Sequence, residues 1–140
     1  MDGRDAYAMI RIGRVPPPYV AAVMAQRQDL LERAARASAE TPESLIALGM
    51  TGNADCWVAM DESALIGLAF TQIIQGPKGR KLTVLAIGGE RGARWLRQGK
   101  VMVFDDAKRR GAEFMDFIRI TGHRTYFGME PTGQYYEASL

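Results

Sequence analysis

The residues of this chain that could do chemistry gather at one junction. A largely apolar run, Leu82 to Ile87, ends at Gly88 and Gly89, and a helical pattern begins near Ala93. Strand, glycines and helix in that order form a recurrent ligand-binding arrangement, and the plain alternative is a tight turn into a packed helix. Elsewhere the reactive types are sparse. Cys56 is the only cysteine and His123 the only histidine, so no Cys/His metal cluster and no intrachain disulfide is expected. Cys56 sits beside Trp57 in a strand-like run with no histidine near it in sequence, the setting of a buried and inert thiol. Lys78, Arg80 and Lys81 read as a solvated hairpin tip, with phosphate contact as the alternative, and Lys108, Arg109 and Arg110 close a helix whose dipole they complement.

The elements that must position these residues follow from spacing. Ala8 to Ile12 reads as a first strand, stopped by Pro16, Pro17 and Pro18. From Tyr19, the residues Val20, Val23, Met24, Leu30, Leu31, Ala34 and Ala35 recur every three or four positions, which predicts an amphipathic helix. Thr41, Pro42 and Glu43 supply an N-cap, a first-turn proline and a first-turn acid for a second, short helix ending at Gly49 or Gly52. Cys56–Met60 and Ala64–Ile74 predict an antiparallel hairpin through Asp61, Glu62 and Ser63. Leu82, Val84 and Ala86 alternate with Thr83, Leu85 and Ile87, so both faces of the third strand are apolar and it belongs at the centre of a sheet. A helix from about Ala93 to Arg110 carries Trp95, Leu96, Met102, Val103 and Ala107 on one stripe and ends at Gly111. A strand over Phe114–Ile118, an irregular stretch from Thr121 to Gly133, and a last edge strand over Gln134–Ser139 complete the chain.

Composition sets the outer bounds. The chain has 140 residues, 47% apolar and 24% charged, which fits one folded domain over residues 1–140 and excludes disorder. A net charge of +2 gives no support to a phosphate-binding surface, so nucleic acid is not an expected partner. No stretch approaches the roughly 20 apolar residues that span a bilayer, and the acidic amino terminus is no secretory signal. A soluble protein in a reducing, cytoplasmic setting is expected. The predicted order, β-α-α-β-β-β-α-β, describes a mixed α/β domain with a largely antiparallel sheet flanked by helices.

That order resembles the Gcn5-related N-acetyltransferase (GNAT) fold over most of the chain. The run Cys56-Trp57-Val58-Ala59, then Thr71-Gln72-Ile73-Ile74, Pro77, Leu82 to Gly89, Trp95-Leu96 and Ala107 to Gly111 looks like a small phage-encoded branch of that superfamily. The resemblance implies acetyl transfer from acetyl-coenzyme A to an amine. The cofactor would lie in a splay beside the central strand, with its pyrophosphate on backbone N–H groups at the start of the next helix. The positions implied are Ile87, Gly88, Gly89, Arg91, Gly92 and Ala93. The family loop has Gln or Arg, two residues, Gly, one residue, then Gly or Ala. With Gly92 as the first glycine, Gly89 stands at the Gln or Arg position and Arg94 at the small one, while Glu90 adds a negative charge that Arg91 and Arg94 offset.

The family's chemistry also needs a base for the amine and an acid for the departing thiolate. Tyr126 and His123 are the leading candidates for the acid, beside Tyr135 and Tyr136, and Glu62, Asp116 and Glu130 are candidates for the base. No spacing fixes a pair, and the plain reading comes first for both, His123 as a loop residue that hydrogen-bonds locally and Tyr126 as a packing residue. The branch's Gly-Arg, Gly-Trp segment is replaced here by Gly122-His123-Arg124-Thr125-Tyr126-Phe127-Gly128. Two functions follow. The eroded loop favours a noncatalytic phage virion or virion-assembly protein, a structural protein partnered by other phage proteins or by itself, in the host cytoplasm or the bacteriophage particle. The alternative is an acetyl-CoA-dependent N-acetyltransferase acting on a small amine or a protein amine.

Overall fold

The computed structural model describes residues 10–90, 92–118, 130–132 and 135–139; for 92–94, 117–118 and the last two stretches it describes the backbone alone. Strand β1 covers Ile10–Val15 and runs three residues past the predicted end at Ile12, while Ala8 and Met9 lie outside the described residues. After a 3-10 turn at Pro17–Tyr19 come α1 (Val20–Met24), a second 3-10 turn (Ala25–Arg27), α2 (Gln28–Arg36) and α3 (Pro42–Met50). Strands β2 (Asp55–Asp61), β3 (Ala64–Gly76) and β4 (Gly79–Gly89) follow. Helix α4 (Gly92–Arg109) then leads to β5 (Phe114–Ile118), β6 (Glu130–Thr132) and β7 (Tyr135–Ser139).

The single helix expected from Tyr19 is thus two helices. Its apolar spacing lapses between Met24 and Leu30, and the backbone breaks at Arg27, with φ −141° and ψ 65°. α3 begins as its sequence predicts. The Thr41 side chain accepts a hydrogen bond from the Ser44 N–H at 3.0 Å, and the Ser44 hydroxyl accepts one from the Thr41 N–H at 2.9 Å. Such a reciprocal cap stabilises a helix by about 1 kcal/mol.

The described strands form one seven-stranded sheet in the order β1-β2-β3-β4-β5-β7-β6. Every neighbour is antiparallel except β4 and β5, which run parallel on either side of the α4 crossover. The carboxyl-terminal strand is therefore not an edge. β7 lies between β5 and β6, and β6, a three-residue strand inside the stretch read as irregular, is the outer one.

Apolar residues cover both faces of the sheet's centre, as β4 predicts. On one face α1, α2 and α3 bury Val20, Met24, Leu30, Leu31 and Leu45 against Leu68, Phe70, Leu85 and Ala86. On the other, Val103 and Ala107 of α4 pack on Trp57, Leu82, Val84 and Met115. Trp95, Ile10, Ala59 and Ile66 extend that second layer. Met102, expected on the buried stripe, is 38% exposed, and Asp106 is buried beside Ala107 instead. Among the described residues no helix is long and apolar enough to cross a membrane.

Candidate functional site

β4 changes face in mid-strand. Phe70 of β3 pairs with Ala86 and the next residue, Thr71, pairs with Val84, so Leu85 is one residue too many for the ladder. This bulge turns both Leu85 and Ala86 toward the α1–α3 layer, whereas simple alternation would put Ala86 with Leu82 and Val84. On its other side β4 pairs with β5 only from Lys81 to Val84, opposite Phe114 to Phe117. Past that point the described residues of β5 give the Leu85–Gly89 stretch no ladder partner. An extended ligand with amide groups can hydrogen-bond such an open edge as an added strand would.

The open edge leads to the amino terminus of α4. Gly92 and Ala93 are its first residues, and N–H groups in the first turn of a helix have no acceptor within it. Together with the helix dipole they attract an anion. Arg91 lies outside the described residues.

Gly88 and Gly89 serve packing. A Cβ on Gly89 would stand 2.5 Å from Cζ2 of Trp95 and 2.6 Å from the Ile66 carbonyl oxygen. A Cβ on Gly88 would meet the Ala34 Cβ of α2 at 2.9 Å. No side chain fits at either place, so Gly89 cannot be replaced by the Gln or Arg of the family loop without displacing Trp95. The indole N–H of Trp95 donates to the Glu90 carbonyl at 2.7 Å, and the Glu90 N–H donates to the Ile66 carbonyl at 2.8 Å, which pins the turn into α4 to β3. Ile87, half-buried, lines an apolar recess between α4 and the sheet with Ile12, Trp57, Val84, Val103 and Phe104. The recess holds about 490 Å³ of empty space counted out to its mouth.

Arg27, which sequence reasoning missed, ties this turn to the helical layer. Its guanidinium donates to the Leu65 carbonyl at 2.8 Å, to Glu90 Oε1 at 3.3 Å and to Asp29 Oδ1 at 3.0 Å. Hydrogen bonds from Asp29 first and Glu90 second raise the Arg27 pKa, and the guanidinium lowers that of Asp29 to about 2. Among the described residues Arg27 is thus the cation that answers Glu90. The lapse in apolar spacing around it was the one signal in the sequence.

The acid and base candidates divide. Tyr126 and His123 lie outside the described residues. Glu62 is an exposed turn residue with φ 57°, on the β2–β3 turn, and β3 stands between that turn's other strand and β4. Asp116 is on β5 as the register partner of Thr83. It is 3% exposed, and its Oδ2 accepts from Lys81 Nζ at 2.8 Å. Its Oδ1 and the Thr83 hydroxyl are both buried without a hydrogen-bond partner among the described residues. The register of β5, β7 and β6 sets Glu137 opposite Asp116 and Glu130 opposite Glu137. Tyr135 and Tyr136 are on β7 as register partners of Ile118 and Phe117.

Comparison with solved structures decides the fold. The chain superposes on a GNAT family acetyltransferase from Brucella melitensis in complex with acetyl-CoA with a TM-score of 0.67 at 12% identity, covering 93% of this chain and 87% of that one. The fold is that of the Gcn5-related N-acetyltransferases. A polyamine N-acetyltransferase from Drosophila melanogaster matches this GNAT fold at a TM-score of 0.66 and 11% identity, over 94% of this chain and 100% of that one. An IAA acetyltransferase from Bacillus cereus matches at 0.52 and 17%, over 77% of this chain, which spans 64% of that structure. No family model matches the sequence, and no curated protein does. Within the GNAT fold the β4 bulge, the parting of β4 from β5 and the start of α4 make one continuous feature.

The other reactive residues are accounted for by packing. Cys56 is 1% exposed, and burial pushes its thiol from 9.0 up to about 12, as expected of an inert cysteine. Within the basic turn, Arg80 donates to the Arg110 carbonyl at 2.9 Å and Lys81 is held by Asp116. Arg110 bridges Asp55 at 2.6 Å and Asp106 at 3.0 Å. Among the described residues no group of His, Cys, Asp and Glu side chains is arranged to hold a metal.

Proposed function

We propose that this chain is an acetyl-CoA-dependent N-acetyltransferase acting on an amine. The observation that carries the reading is the Leu85–Gly89 stretch of β4, which has no ladder partner among the described residues of β5 and leads directly to the amino terminus of α4. Acetyl-CoA, when bound, supplies a thioester carrying the acetyl group. The β4 edge would pair with the pantetheine amides, and the N–H groups at Gly92 and Ala93 would receive the pyrophosphate. Arg27 draws Glu90 toward β3 and α2 and offsets its charge near that anion. Asp116 Oδ1, buried and unpartnered among the described residues, is the acceptor for the amine proton, and Lys81 keeps the carboxylate oriented through Oδ2. Donation of a proton to the thiolate is assigned to Tyr126, with His123 as the alternative.

The departures from the family loop fit this reading. Gly89 replaces a long side chain because Trp95 fills its place, and the pyrophosphate contact then rests on backbone donors. The matched structures with acetyltransferase names support an enzyme, and no observation favours the virion-assembly role that the eroded loop motivated. Isothermal titration with acetyl-CoA, and with desulfo-CoA as a thiol-free control, tests the proposal. Micromolar binding that Gly92→Glu abolishes is expected. Absence of heat at high ligand, with an unshifted melting temperature, would overturn it.

A further inference from the structure

The apolar recess under α4 exists because one position on the inner face of that helix is empty. Trp95, Gly99, Val103 and Ala107 follow one another at four-residue spacing and so share one face of α4. Trp95, Val103 and Ala107 are buried there. Gly99 sits between them with no side chain, and a Cβ built on it would stand more than 4 Å clear of the sheet. Glycine inside a helix lowers stability relative to alanine, and close packing is the usual reason to keep one. Gly67 and Gly89 have that reason, since Trp95 fills the place of their Cβ atoms, and Gly99 does not. Ala69 on the sheet is the small residue of the other wall, and Val84, Ile87 and Phe104 line the space around it. About 490 Å³ of empty space, counted out to the mouth, falls within the roughly 300–1,000 Å³ of small-molecule sites.

We propose that this recess is a binding site separate from the β4 edge, and that it takes a small uncharged molecule with a hydrocarbon body about one ring in size. The lining sets the chemistry. The Trp57 indole N–H donates to the Thr71 hydroxyl at 3.0 Å and the Trp95 indole N–H to the Glu90 carbonyl at 2.7 Å, so both ring donors are already matched. Lys100 is the one charged side chain among the described lining residues, and its ammonium lies 5.7 Å from the centroid of the Phe104 ring. A charged ligand would give up its hydration in such a place for apolar walls, whereas cavities lined this way stay dry and take up hydrocarbons. The recess reaches Ile12 on β1, three strands from the β4 edge, which fits a free molecule better than the acyl chain of a thioester held at that edge. The site therefore stands independently of the acetyltransferase reading.

Trp57 and Trp95, the two tryptophans of the chain, both line the recess, so intrinsic fluorescence reports on it directly. The test is titration of the full chain, without coenzyme, with toluene, benzoate and benzylammonium, followed by fluorescence and by melting temperature. Toluene is expected to change the fluorescence saturably, to raise the melting temperature, and to bind about tenfold or more tightly than either charged ring. Gly99→Leu fills the gap from α4 and Ala69→Leu fills it from β3, and each is expected to lose about tenfold or more in toluene affinity. Gly99→Ala is expected to raise the melting temperature of the free chain, since no neighbour opposes the added methyl. No saturable response to toluene, equal affinity for benzoate, or full affinity in both leucine variants would overturn the proposal. Binding of octanoyl-CoA in place of toluene, lost in Gly99→Leu, would also overturn it and give the recess to an acyl chain. Should a leucine variant fail to fold, the comparison of the three rings on the unaltered chain decides alone.

Discussion

Gly67 and Gly89 are register partners on β3 and β4, and the indole of Trp95 lies where either would carry a Cβ. The pair of glycines is a platform for one ring, and the ring fixes the angle at which α4 leaves the sheet. The amino terminus of α4 is thereby aimed by packing on the strand that precedes it.

The two glycines differ in what surrounds them, and a double-mutant cycle separates them. The three atoms nearest a Cβ on Gly67 all belong to Trp95, the closest at 2.5 Å, whereas one on Gly89 also meets the Ile66 carbonyl oxygen at 2.6 Å and the Gly67 Cα at 2.7 Å. Gly67→Ala and Gly89→Ala are each expected to cost about 1–3 kcal/mol in urea denaturation. In a Trp95→Leu background the cost of Gly67→Ala should largely vanish and that of Gly89→Ala should remain, because the opposing atoms there are backbone. Equal rescue at both positions would contradict the platform.

Much of this arrangement could be read from residue order, and the exceptions have physical causes. Thr41, Pro42 and Glu43 mark the start of α3 within three residues, and Gly111, at φ 89°, ends α4 where its pattern stops. Local signals of that kind survive in sequence. The faces of Leu85 and Ala86 did not, because a bulge depends on how β3 is registered against β4. Ile66 shows the same effect on β3, where Ala59 pairs with Gly67 and Met60 with Leu65. The row through Asp116 depends on β7 entering between β5 and β6, a choice of strand order that alternation within Tyr135–Ser139 cannot express. Asp116 and Glu130 were visible as carboxylates, and only register puts them in one row.

Cys56 provides a probe of the helical layer. Its thiol is buried against that core, and burial alone raises its pKa to about 12. The unfolded chain releases the proton near 9.0, so the thiol contributes stability that is fully present below that pH and is lost as pH rises toward about 12. Denaturation midpoints should therefore fall as pH is raised above 9, and the fall should be smaller in Cys56→Ala at the same pH values. A disulfide reagent at pH 8 should modify no thiol in the native protein and one in urea. Rapid modification of the native chain would mean that the α1–α3 layer opens easily, against the packing around Cys56.

Arg27 and Glu90 allow the charge at the turn to be tested apart from its shape. Arg27 is 26% exposed at the side chain and Glu90 is 42% exposed, so their ion pair is screened and adds little to stability. Its influence is on the field at the start of α4. Removing the guanidinium takes this partner from Glu90, two residues before Gly92, where a negative charge opposes an anion held by the helix terminus. Arg27→Ala should weaken acetyl-CoA binding about two- to fivefold, in keeping with charge effects at helix ends. The double variant Arg27→Ala with Glu90→Gln should recover the affinity, and Glu90→Gln alone should bind at least as well as the unaltered chain. Raising the salt concentration should shrink all three differences, since the carboxylate is open to solvent. If Glu90→Gln fails to rescue Arg27→Ala, the guanidinium acts through its bond to the Leu65 carbonyl and the position of β3, and the turn's charge is irrelevant to the ligand.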